Sequence, residues 1–131
     1  MVDILRKEIN MDFDDAVKHV EKVISEEGFT VLMVKAIDQV IKYKLAVDDY
    51  PRYTSIMACG ADLAKMALDV SKDVGTLFPC SFVVYEESNK IFVAHVSIMK
   101  MSTELGFVTE EKMAYVIEET SKRVQSAWGR L

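Results

Sequence analysis

Two apolar runs, Cys80 to Glu86 and Lys90 to Ile98, stand on either side of the dipeptide Ser88-Asn89. Short β-branched and aromatic segments around a small polar turn are the pattern of a β-hairpin. No other stretch limits the fold as much, because a hairpin commits two neighbouring strands to antiparallel pairing whatever surrounds them.

The segments before it supply helices. Phe13, Ala16, Val17, Val20, Val23 and Ile24 recur at three- and four-residue spacing, which gives a helix one apolar face. Asp12 is expected to cap its free amides, and Asp14 and Asp15 fall in the first turn, where the helix dipole favours negative charge. Gly28 supplies a left-handed stop, after which Phe29 folds back on Ile24. Ahead of this helix, residues 2–9 read as a strand.

Residues 29–34 are apolar and β-branched, the pattern of a strand buried on both faces. A short helix is expected over 38–45, capped by Asp38 with Val40, Ile41 and Leu45 facing inward. Asp48 to Pro51 form a turn. A strand at 52–59 and a helix at 61–72 follow, and residues 99–108 read as a loop. Thr109-Glu110-Glu111 opens a last helix with the stripe Met113, Val116, Ile117, Val124 and Trp128. The order βαβ(α)βαββα predicts an α+β protein, an antiparallel or mixed sheet with helices packed on it. The length of 131 residues fits one domain over residues 1–131.

Composition narrows the function classes. Half of the residues are hydrophobic and 28% are charged, enough for a core that needs neither disulfide nor metal. The net charge is −5, and basic residues occur singly or in pairs such as Arg6-Lys7. A nucleic-acid partner needs a basic face to neutralise phosphates, so none is expected. Met1 to Arg6 lack the apolar run of a signal peptide, and Phe82 to Tyr85 is too short to span a bilayer. The expectation is a cytoplasmic protein with no membrane partner, whose two cysteines are reduced thiols.

Those cysteines head the candidate chemistry. Cys59 and Cys80 fit a redox couple, a soft-metal pair or a sulfur carrier, and equally two small buried hydrophobes. Cys59 closes a strand and Cys80 opens the next, after a helix that spans on the order of 18 Å if it runs straight back. The thiols then meet only if that helix crosses obliquely or the strands are antiparallel. Cys59-Gly60-Ala61 also marks a strand-to-helix passage, where a helix N-terminus lowers thiol pKa and Gly60 leaves room for a ligand. His95 is in phase with Ile91 and Val93, as a hydrogen-bonded core histidine would be. His19 is expected to face solvent. No histidine spacing or carboxylate pattern makes a metal site, there is no nucleophile elbow, and no cofactor is specified.

Gly28-Phe29 after an amphipathic helix, Lys44-Leu45, Ala58-Cys59 entering a helix, and Pro79-Cys80-Ser81-Phe82-Val83-Val84-Tyr85-Glu86 together resemble a known family. It is the bacterial and archaeal domain of unknown function 302, matched over residues 10–128. The resemblance implies a small α+β fold similar to the TATA-box-binding-protein class, a homodimer, and motif positions at Lys44, Cys59, Pro79 and Cys80. It carries no established activity, and fold similarity does not transfer DNA binding. The family often has Asn-Pro after the first cysteine where this chain has Gly60-Ala61, which removes any role for an asparagine side chain there.

The resulting expectation is a small-molecule or sulfur-species binding module centred on Cys59. Lys44 would supply positive charge, with Gly60, Cys80 and His95 beside it. The alternatives are a thiol redox enzyme or sulfur carrier using Cys59 and Cys80, and an interaction protein without a catalytic site.

Overall fold

The computed structural model describes residues 4–131. Its strands are β1 (Ile4–Glu8), β2 (Thr30–Ala36), β3 (Tyr53–Cys59), β4 (Cys80–Glu87) and β5 (Lys90–Val96). The helices are α1 (Phe13–Glu26), α2 (Ile37–Leu45), α3 (Ala61–Val70), α4 (Ile98–Glu104) and α5 (Glu110–Trp128), with a 3₁₀ turn at Lys72–Leu77. The expected succession is present with one addition: residues 98–104 are helical, capped by Ser97, whose hydroxyl accepts the Lys100 amide. Val2 and Asp3, the start of the expected first strand, lie outside the described residues.

The sheet runs β1-β5-β4-β3-β2, every neighbour antiparallel, so the fold is α+β as expected. Local chemistry accounts for its turns. Ser88 and Asn89 both take positive φ, 53° and 62°, as a two-residue type I′ hairpin turn requires. At the end of α1, Gly28 has φ 92° and the Phe29 amide donates to the Ile24 carbonyl at 3.0 Å. That six-to-one bond closes the last turn and sends Phe29 into the core.

Register decides the faces. Ile56 pairs with Phe82 and Phe82 with His95, while Thr54 pairs with Val84 and Val84 with Val93. These residues share the face covered by α1 and α5, where they pack with Val20, Ile24, Val124 and Ala127. Full burial of an apolar side chain of this size stabilises the fold by about 1.5–3 kcal/mol. A second cluster of Ala67, Val74, Met99, Met113 and Val116 binds α3, α4 and α5 together. On the opposite face Tyr53, Tyr85 and Phe92 stack in a row, 5.8 and 5.6 Å between centroids.

Four expectations are corrected. β2 is an edge strand rather than one buried on both faces, with Leu32 59% and Met33 53% exposed and a bulge between Val31 and Met33. An unbroken apolar run does not say whether a second neighbour exists. Val40 and Leu45 of α2 face outward, and Asp38 does not cap the helix. It is buried, and its Oδ1 accepts the Tyr53 amide at 2.9 Å, tying α2 to β3. Asp12 stands at the N-cap of α1 but its side chain makes no cap hydrogen bond. Among the described residues, no helix is long and apolar enough to cross a membrane.

Candidate functional site

Because β3 and β4 are antiparallel with Ala58 opposite Cys80, Cys59 and Cys80 lie at the same end of the sheet. Both are free thiols and both line one recess, with Phe29, Leu63 and Thr120. The recess has a volume of about 10 Å³, the space of a single water molecule. Burial pushes the Cys80 thiol up to about 12, and the neighbouring Cys59 adds to the rise. Burial also raises Cys59. Both thiols are thus shifted upward by desolvation, contrary to the expected activation.

The room made by Gly60 is already filled. Gly60 is the N-cap of α3, and a Cβ there would lie 3.1 Å from Arg123 Nη1. That guanidinium donates to both carboxylate oxygens of Asp62, in the first turn of α3, with Nη1 to Oδ1 at 2.9 Å, and to the Gly28 carbonyl at 3.4 Å. The helix N-terminus thus faces its own acidic residue, and Gly60 serves the approach of Arg123 from α5 in place of a ligand.

His95 occupies the helix-covered face between Leu5 on β1 and Phe82 on β4. It is 5% exposed, and its Nδ1 lies 2.9 Å from the Ser81 carbonyl. A carbonyl only accepts, so the proton is assigned to Nδ1 and Nε2 is left as an acceptor. Burial lowers the His95 pKa, partly opposed by the Ser81 bond, which keeps the ring neutral at physiological pH. Nε2 has no partner, and neither has the hydroxyl of Thr120, itself 3% exposed.

Both residues line a cavity of about 160 Å³ beneath α4 and α5, with Leu5, Ser97, Lys100, Ser121, Val124 and Gln125. Thr120 lines this cavity and the cysteine recess alike, so the two adjoin. Sequence reasoning missed Thr120. Its signal was a polar residue at position 120, in helical phase between Val116 and Val124 on the buried stripe of α5.

Of the residues singled out from sequence, Cys59, Gly60 and Cys80 come together and His95 lies next door, whereas Lys44 does not join them. Lys44 lines a groove of about 480 Å³ between β2 and α2, with Val34, Val40 and Tyr43. His19 is at the surface of α1, its Nε2 3.1 Å from the Arg130 carbonyl. Among the described residues, no group of three or more His, Cys, Asp or Glu side chains is placed to hold a metal ion.

The family model described as "Domain of unknown function DUF302" matches residues 5–131. No curated protein matches the chain. Among solved structures, the crystal structure of an uncharacterized conserved DUF302 protein from Bacillus stearothermophilus is similar, with a TM-score of 0.85. The sequences are 17% identical, over 97% of this chain and 96% of that one. Likeness at this identity concerns the fold.

Proposed function

The chain belongs to the DUF302 family, and on that premise we propose that it is a single-domain cytoplasmic module binding a small molecule in the His95 cavity. One observation carries the reading: His95 and Thr120 line the same cavity, and each holds a buried polar atom, Nε2 and Oγ1, without a hydrogen-bond partner. An unsatisfied buried polar atom costs about 1–3 kcal/mol. A ligand that pairs with both recovers that cost on binding.

This moves the centre of the site from Cys59 to His95. Cys59 and Cys80 form the apolar wall of the adjoining recess. Their raised pKa values favour ligand binding over the thiol redox or sulfur-carrier alternative, since the thiolate is the reactive form. Titrating isotope-labelled protein with small polar fragments and following amide shifts tests the reading. Shifts centred on Leu5, His95 and Thr120 are expected; a fragment set that moves none of these amides overturns it.

A second reading concerns assembly, and β2 favours it. Among the described residues the strand has an unpaired edge, and Leu32, Met33 and Val34 are exposed on it, with Val34 lining a groove beside Val40 and Tyr43 of α2. An open antiparallel edge is self-complementary about a two-fold axis. A second copy pairing β2 with β2 would bury this surface, making the module a homodimer with Lys44 at its interface. Light scattering at micromolar concentration tests this, and a monomeric mass would overturn it.

A further inference from the structure

Taking the His95 cavity as the binding site, we infer that its ligand is a small hydroxy acid, with its hydroxyl donating to His95 Nε2 and its carboxylate directed to Lys100. The first requirement comes from the donor inventory. Nδ1–H is committed to the Ser81 carbonyl, so Nε2 offers only a lone pair and calls for an O–H or N–H from the ligand. Thr120, buried on the other element, either donates to the ligand or accepts from it.

The second requirement comes from charge. Among the described residues lining the cavity, Lys100 is the one with a formal charge when His95 is neutral. The rest, from β1, α4 and α5, are hydroxyls, an amide and aliphatic side chains. Glu104 and Glu110 share with Lys100 a separate recess. A cation in the His95 cavity would meet Lys100 with no compensating lining carboxylate from these residues, whereas an anion finds a partner.

The third requirement is size. A cavity near 150 Å³ accommodates a six-carbon ring, so about 160 Å³ admits a compound of about six heavy atoms. One carboxylate, one hydroxyl and a short carbon stem fill that allowance and engage both orphaned atoms.

The test is calorimetric and NMR titration of the full chain with three probes of similar size: lactate, propionate and 1-amino-2-propanol. Lactate should bind, move the His95 Nε2 resonance and lower the His95 pKa further, because accepting a hydrogen bond requires the neutral ring. Propionate, without the hydroxyl, should bind at least about tenfold more weakly. Lys100→Met, a surface change, should weaken lactate by a similar factor. Equal binding of propionate and lactate, or preference for the amino alcohol, overturns the hydroxy-acid assignment and leaves the binding module standing. If no probe or fragment moves the cavity amides, and Nε2 responds only to exchange with water, the cavity is a hydration site and both readings fall.

Discussion

The imidazole of His95 lies nearly parallel to the ring of Phe82, 8° between planes and 4.1 Å between centroids. The two residues are opposite one another across β4 and β5, so the stack is a direct product of hairpin register. Phe82 is fully buried and seals one face of the imidazole, and His95 is a lining residue of the adjoining cavity.

His95 should make stability fall on mild acidification. Its folded pKa is lowered by burial, so below the ordinary value near 6.5 the unfolded chain takes up a proton that the folded chain refuses. Stability therefore rises with pH between the folded pKa and about 6.5, by up to about 1.4 kcal/mol per unit. Urea denaturation of the wild type and His95→Gln from pH 5 to 8 checks this, and the variant should lack that slope.

Neither cysteine should react readily in the folded state. With the Cys80 thiol near 12, its thiolate fraction at neutral pH is about a thousandfold below that of a thiol at the usual value. Iodoacetamide at pH 7.5 should label Cys80 at least about a hundredfold more slowly in native than in urea-unfolded protein, with Cys59 between these rates. Peptide mapping against time distinguishes the two sites.

Arg123→Ala and Gly60→Ala should lose stability through the same contact. The first removes the guanidinium from Asp62, and the second pushes a methyl group against it. Asp62 is 60% exposed, so screening holds the loss to about 1 kcal/mol. The Arg123 hydrogen bond chiefly lowers the Asp62 pKa, so its contribution is complete above the unfolded value near 3.8 and disappears as pH falls through the folded value. The gap between wild type and Arg123→Ala should narrow as pH falls below about 3.8.

Thr120→Val should stabilise the ligand-free protein by about 1 kcal/mol, because a methyl replaces a buried hydroxyl without a partner. The same change should weaken binding in the His95 cavity. Thermal melting with and without lactate reads both effects, and a destabilised variant would mean that the hydroxyl is satisfied.

Met33→Lys should reduce self-association, since it places a charge on the exposed apolar edge of β2. Light scattering should give a smaller mass than for the wild type at equal concentration, with an unchanged far-ultraviolet spectrum.

Part of the local chemistry was readable in advance, though not the caps at Asp12 and Asp38, and long-range placement was not. Ser88-Asn89, Gly28 and the apolar spacing from Phe13 to Ile24 each act through the few residues around them, and each behaves as expected. β2 went the other way because burial on a second face depends on a neighbouring strand that no local pattern encodes. The cysteines meet one recess only because β3 and β4 run antiparallel. Lys44 was grouped with them through family resemblance, yet α2 carries it to another groove. The central pair of the proposed site joins β5 to α5, and Thr120 drew no notice because one threonine in an apolar stripe is common in helices.

Four strands, β2 to β5, form a meander of sequence neighbours, and only β1 must travel from the far end of the chain to pair with β5. Leu5 sits directly opposite His95 in that last pairing and forms a wall of the cavity. The pocket is therefore a product of closure: it is complete only after the first strand has met the fifth. Loss of the leading strand would leave His95 facing water, so a ligand held there would fasten the two ends of the chain together and protect β1 from fraying.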